Sequence, residues 1–243
     1  MILIGFGCVA CSRQAELPLP VGVTFSTNDG FELAATLYAP HAEKPPGILL
    51  LHRYGGNRNL WEQLARRLQQ QGVLALALDL RGHGESDSRL GETLHYRQLP
   101  EDGWMAALQD LHAAKTVLLE KGANADNLVI AGEGLGAALA LHYALEDPQI
   151  QGVIMVSPGL ELQGVATEEA MKRLDDCPSL LFASEGDAYA ATSAAALNQV
   201  APVYSELRSW SGGAHGVDLF AAHPEAIEFM LQWLGNIFKS GES

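Results

Sequence analysis

The sequence predicts an α/β fold, with a mainly parallel sheet, an opening antiparallel hairpin and helices on both faces. Two observations indicate this class. Short apolar segments alternate with segments of helical length along most of the chain. Several of the apolar segments are continuous, as expected for parallel strands that are covered on both faces. At 243 residues, the chain is long enough to bury a substantial core in one domain.

The hairpin comes first in the chain. Residues 21–27 and 31–38 have strand composition, and the Asn28-Asp29-Gly30 turn between them predicts an antiparallel pair. Later apolar segments are bounded by turn residues and predict buried parallel strands. These predicted strands cover residues 47–52, 73–80, 127–131, 152–157, 179–184 and 203–210.

The segments between the strands predict helices, because their apolar residues recur at helical spacing. Pro224 is well placed as the first residue of a closing helix. Two connections do not follow this pattern. Residues 86–100 predict irregular structure, and residues 158–176 predict a short insertion that we interpret as a small helical lid.

The composition argues against several classes of function. With 29 acidic and 15 basic residues, the formal net charge is −14, which disfavours nucleic acid or an anionic membrane surface as a partner. No apolar run approaches the roughly 20 residues of a membrane span. The three cysteines, Cys8, Cys11 and Cys177, are too few for a disulfide framework, and no His or Cys cluster has metal-ligand spacing. We therefore expect no metal, no cofactor and a small-molecule partner.

Residues 1–17 differ from the predicted domain at residues 18–243. They begin with a stretch that is almost wholly apolar or glycine, like the apolar part of a secretory signal without its basic start. Val9-Ala10-Cys11 is similar to the end of a bacterial lipobox, although Cys8 stands where an aliphatic residue is usual. This similarity favours a lipid anchor at Cys11 and a location in the cell envelope or outside the cell. The alternative is a frayed terminus of a cytoplasmic protein.

The segment at residues 129–141 runs from an apolar strand through a glycine-rich turn into a small-residue helix. Gly132 and Gly136 have the spacing of the outer glycines in a Gly-x-Ser-x-Gly nucleophile elbow, in which a serine sits on a sharp strand-to-helix turn. The central position is Gly134, which has no side-chain atom to attack a carbonyl. The segment predicts the scaffold of this motif without its nucleophile.

From about residue 21 onward, the chain resembles the α/β-hydrolase superfamily, in the neighbourhood of the dienelactone hydrolases and small serine esterases. The resemblance implies the α/β-hydrolase fold and an esterase-type pocket at the carboxyl ends of the strands. Five motifs carry it in the superfamily's order: His52-x-x-Gly55-Gly56, Asp79-x-Arg81-Gly82-His83-Gly84-x-Ser86, the elbow, the turn at Asp187, and Ala214-His215-Gly216.

The resemblance implies which positions would form the catalytic triad. In this superfamily the order along the chain is nucleophile, acid and histidine. The corresponding positions are Gly134, Asp187 and His215. Glu185 is a weaker candidate for the acid. The nucleophile position is therefore vacant, while the acid and the base are represented.

The remaining site residues follow from the same resemblance. The oxyanion hole would use the backbone N–H of Leu135 and a second N–H from Arg53 or Tyr54. Backbone donors persist when side chains change, so Gly134 does not remove them. We interpret His52 and His83 as structural residues.

Because of Gly134, the sequence supports the α/β-hydrolase fold without supporting hydrolase activity. We expect a catalytically inactive or severely impaired protein that binds a small ester-like ligand or a partner, because an oxyanion hole and binding alone give only about 10³–10⁴-fold catalysis over water. The alternative is an active carboxylic-ester hydrolase with a displaced nucleophile such as Ser157 or Ser184, which both end predicted strands. A third possibility is acid–base chemistry without a covalent intermediate, which no sequence feature favours.

Overall fold

The computed structural model describes residues 16–240, and ten of its strands form one sheet. The strands are β1 (Val21–Ser26), β2 (Phe31–Tyr38), β3 (Gly47–Leu51), β4 (Leu74–Leu78), β5 (Ser88–Arg89), β6 (Glu92–Thr93), β7 (Leu128–Glu133), β8 (Ile150–Val156), β9 (Glu161–Leu162), β10 (Val165–Ala166), β11 (Ser179–Ser184) and β12 (Ser205–Trp210). The α-helices are α1 (Glu62–Gln70), α2 (Leu108–Glu120), α3 (Leu135–Glu146), α4 (Glu168–Met171), α5 (Ala188–Val200), α6 (Asp218–Ala222) and α7 (Glu225–Ser240).

The sheet has the strand order β12-β11-β8-β7-β3-β4-β2-β5-β6, and β1 pairs with β2. The six strands from β12 to β4 are parallel, whereas β1, β2, β5 and β6 pair antiparallel. Helices α2, α3 and α5 cover one face and helices α1 and α7 cover the other, so the sheet separates two apolar cores. The predicted fold class and the opening hairpin are confirmed.

Two connections differ from the prediction. Residues 86–100 are not wholly irregular, because β5 and β6 continue the sheet beyond β2. The insertion combines a β-hairpin of β9 and β10 with the four-residue helix α4, so it is only partly helical. Its turn places Gln163 and Gly164 at φ values of +51° and +73°, and positive φ at both central residues is typical of a tight hairpin turn.

The parallel arrangement brings distant parts of the sequence to one edge of the sheet. The carboxyl ends of β3, β7, β8, β11 and β12 all lie at this edge, and the loop after each strand carries a candidate site residue. In the part of the chain that the structure describes, no helix has the length and apolarity needed to cross a bilayer. The apolar segment around Cys8 and Cys11 lies outside the described residues.

Candidate active site

The elbow between β7 and α3 has the predicted sharp turn. Gly134 has φ of +55° and ψ of −117°, in a region that side chains rarely adopt. A Cβ at Gly132 would lie 2.1 Å from the carbonyl oxygen of Gly136, and a Cβ at Gly136 would lie 2.4 Å from that of Leu51. The outer glycines therefore allow α3 to start close against β3. This packing does not depend on a side chain at position 134.

The acid and base positions meet across two loops. The Nδ1 atom of His215 lies 2.5 Å from Oδ2 of Asp187, whose other oxygen caps α5 by accepting from the backbone N–H of Ala190 at 3.4 Å. A hydrogen bond from Nδ1–H to the carboxylate leaves Nε2 as the nitrogen available for proton transfer. The ring of His215 is half exposed. The structure places Asp187, and not the exposed Glu185, against the histidine.

A small cavity of about 170 Å³ joins the elbow to this pair. Leu135 lines this cavity and is the first residue of α3, so its N–H has no partner within the helix, as an oxyanion donor requires. The loop after β3 passes close to the elbow, since a Cβ at Gly134 would lie 3.2 Å from Cβ of Arg53. The cavity is lined by Arg53, Tyr54, Gly134, Leu135, Ser157, Leu162, Gln163, Tyr189 and His215.

The two serines proposed as displaced nucleophiles have different surroundings. Ser157 lines the cavity together with His215, and its Oγ accepts a hydrogen bond from the backbone N–H of Gly216 at 2.8 Å. Its φ of +45° is strained for a residue other than glycine. Ser184 does not line the cavity, and its buried Oγ has no hydrogen-bond partner within the described residues.

Sequence reasoning missed a partly buried ion pair beneath the site. Glu133 is fully buried, and its Oε1 accepts from Nη1 of Arg53 at 2.6 Å. Burial raises the pKa of this carboxyl, and the guanidinium opposes that shift. A Cβ at Gly216 would lie 1.7 Å from the same oxygen, so the loop that carries the histidine packs directly on Glu133. The two partners are 80 positions apart in sequence, and no local pattern links them.

His52 and His83 support the loop after β3. His52 donates from Nδ1 to the carbonyl of Arg53 at 2.7 Å and accepts from the backbone N–H of Leu80 at 3.0 Å. His83 accepts from the N–H of Gly55 at 3.0 Å. Burial lowers the pKa of His52 to about 4 and that of His83 to about 3. Both rings are therefore neutral near pH 7, and these contacts agree with the structural role predicted for them.

The motif that begins at Asp79 is a second support. Its buried carboxylate accepts from the backbone N–H groups of Arg58 and Glu85 at 2.7 and 3.0 Å. Arg81 donates from Nε and Nη2 to the fully buried Asp110 at 3.0 and 2.7 Å. These bonds fix the turn after β4 and do not reach the cavity. Within the described residues, no group of three or more His, Cys, Asp or Glu side chains could hold a metal ion.

The fold and the site geometry define a protein of the α/β-hydrolase superfamily. Residues 43–193 match the family described as serine aminopeptidase, S33, and the chain belongs to this family. The match includes Gly134 and Asp187, whereas His215 lies beyond it.

Similar proteins include lipases and esterases. The chain is 26% identical over 164 residues to the lipase LipV of Mycobacterium tuberculosis, which covers 67% of this chain and 56% of that protein. It is 34% identical over 121 residues to an acetyl-hydrolase of Streptomyces hygroscopicus, covering 48% and 37% respectively. The matches therefore span about half or less of these relatives. The dienelactone hydrolase structure from Anabaena variabilis superposes with a TM-score of 0.70 at 22% identity, covering 93% of this chain and 99% of that one.

Proposed function

We propose that this chain is a catalytically inactive or severely impaired member of the superfamily, and that its esterase-type pocket binds a small ester-like molecule. One observation carries the proposal. Gly134 occupies the nucleophile position beside a hydrogen-bonded pair of Asp187 and His215. At the elbow, a covalent acyl intermediate needs a nucleophilic side-chain atom, and glycine supplies none.

The remaining groups support binding better than turnover. His215 at Nε2 can at best accept a proton from water, and the N–H of Leu135 can polarise a carbonyl oxygen. A triad without its nucleophile typically retains about 10³–10⁴-fold catalysis over water, far below that of a working esterase. The small volume of the cavity and its apolar wall at Leu162 favour a short acyl group. The similarity to a lipase and an acetyl-hydrolase supports the same class of ligand.

A direct assay tests the proposal. Purified protein and its H215A variant are incubated with p-nitrophenyl acetate and p-nitrophenyl butyrate. We expect both proteins to release nitrophenol at the same low rate, far below that of a working esterase. Robust turnover in the unaltered protein that disappears in the H215A variant would refute the proposal.

The second candidate function is an active ester hydrolase with a displaced nucleophile. Of the two serines, Ser157 is favoured, because it shares the cavity with His215 and has a strained backbone. If the protein hydrolyses esters, the S157A variant should lose the activity and the S184A variant should keep it. Loss in the S184A variant alone would instead favour Ser184.

The location of the protein is a separate proposal that rests on sequence alone. We expect Cys11 to carry a lipid anchor and the protein to reside in the cell envelope. One acyl chain gives only marginal membrane binding, so stable anchoring needs a further chain or contact. Palmitate labelling of the full chain and of a C11S variant in a bacterial host tests this, and equal labelling of the two would contradict it.

A further inference from the structure

The cavity is lined by Arg53, whose charged side chain has no part in the proposed ester binding. Arg53 lines the cavity with its side chain about one third exposed (34%). Its Nη1 is held by Glu133, and its carbonyl is held by His52. A guanidinium has five N–H donors, more than a single carboxylate oxygen accepts, so donors remain for a ligand. The cation is fixed in place before any ligand arrives.

The wall of this cavity differs from the rest of the protein in charge. The chain has 29 acidic residues, yet none of the described residues that line the cavity is Asp or Glu. Glu133 is fully buried outside the lining, and Asp187 is turned toward His215. An anionic ligand would therefore meet hydrogen-bond donors in the cavity and no exposed carboxylate.

The vacant nucleophile position lies beside the stem of this arginine. Any side chain at Gly134 would project next to the stem of Arg53, because a Cβ there would be 3.2 Å from Cβ of the arginine. Because position 134 is glycine, no side chain stands between the cavity and the start of the twelve-residue helix α3. The positive end of the helix adds to the attraction that the guanidinium exerts on a negative charge.

The geometry points to a short-chain carboxylate as the ligand of this cavity. Its carboxylate would bind the guanidinium of Arg53 near the start of α3, and its hydrocarbon tail would lie against Leu162 and Tyr189. A planar carboxylate matches the fork of a guanidinium. The volume of about 170 Å³ is below the roughly 300–1,000 Å³ of pockets for drug-sized ligands, which limits the tail to a few carbons. This inference rests on the proposed function, in which the cavity binds a small molecule rather than turning over an ester.

Calorimetric titration of the full chain with hexanoate, hexanamide and inorganic phosphate tests the inference. We expect the unaltered protein to bind hexanoate at least tenfold more tightly than hexanamide or phosphate. The double variant R53Q/E133Q should lose at least tenfold in affinity for hexanoate and keep its affinity for hexanamide. Removing both partners avoids leaving Glu133 buried and unpaired. The matched control R66Q removes an exposed positive charge from α1 and should bind hexanoate normally.

A second variant keeps the test valid if the double variant does not fold. R53K retains the positive charge but lacks the fork, and it should bind hexanoate more weakly than the unaltered protein does. Three outcomes would overturn the inference: equal affinity for hexanoate and hexanamide, full hexanoate binding by R53Q/E133Q, or tighter binding of phosphate than of hexanoate. An inactive protein that binds no hexanoate defeats only this inference, whereas ester turnover that depends on His215 defeats the proposed function.

Discussion

The elbow and the acid–base pair face each other across one cavity, yet different parts of the chain hold them in place. The elbow is fixed by backbone, because Gly132 and Gly136 let α3 start close against the sheet. The pair is fixed by side chains, through the 2.5 Å contact of Asp187 with His215. The close packing of the elbow therefore does not depend on a side chain at position 134. The difference shows that backbone contacts can hold the elbow while side-chain contacts hold the acid–base pair.

The largest expected effect comes from restoring that atom. Among the described residues, a Cβ at position 134 would contact only Arg53 within 4 Å beyond its chain neighbours, so a serine side chain fits with a small adjustment. We expect G134S to raise kcat/KM for p-nitrophenyl butyrate by about 10³-fold or more, at a cost of about 1–3 kcal/mol in stability from the strained backbone. The control G134A has the same strain and no hydroxyl, and it should stay inactive. Equal activity of the two variants would mean that Asp187, His215 or the oxyanion donors are misplaced for catalysis.

A second substitution tests the pair of Asp187 and His215 directly. In the G134S background, D187N should reverse most of the gain, by about 10²-fold or more, because the amide no longer holds His215 in the required tautomer. E185Q in the same background is the matched control, since Glu185 is exposed and lies two positions away. Its kcat should equal that of G134S. A larger loss in E185Q than in D187N would reassign the acid.

Substitution of an outer glycine of the elbow should change the stability of the protein rather than its catalytic activity. G136A introduces a Cβ that would lie 2.4 Å from the carbonyl oxygen of Leu51 and 2.7 Å from that of His52. We expect a loss of about 3 kcal/mol in the free energy of unfolding, measured by urea denaturation. The control G235A lies in α7, where a Cβ meets none of the described atoms outside its own helix turn and chain neighbours within 4 Å, and it should be stabilising by about 0.5–1 kcal/mol. A neutral G136A variant would show that the close approach is not required.

The smallest change expected from a single substitution is in the dependence of stability on pH. Burial lowers the pKa of His52 and His83 from an ordinary 6.5 to about 4 and about 3 in the folded protein. The unfolded chain then binds more protons below pH 6.5, so stability should fall as pH drops from there toward 4. Each histidine contributes a slope of up to about 1.4 kcal/mol per pH unit. The H83Q variant keeps an acceptor for Gly55 and should show a shallower slope in urea denaturation. An unchanged slope would contradict this role.

Much of the fold, and the two residues of the Asp187–His215 pair, were predictable from the sequence, because local patterns carry them. The turn at Asn28-Asp29-Gly30 predicts the opening hairpin, and short motifs at strand ends mark Asp187 and His215. Other features depend on contacts between distant residues. The ion pair of Arg53 and Glu133 joins two strand ends 80 positions apart, and nothing in either segment indicates it. The hairpin in the insertion has Gln163 at positive φ, where glycine or asparagine would have predicted the turn.

Labelling with a fluorophosphonate, read by intact mass and peptide mapping, tests the central claim most directly. The unaltered protein and G134S are treated in parallel, with G134S/H215A as the control for a functional base. We predict no added mass on the unaltered protein and one phosphonyl group on G134S, mapped to the new serine and greatly reduced in the double variant. A label on Ser157 or Ser184 of the unaltered protein would contradict the claim that Gly134 leaves this site without a nucleophile.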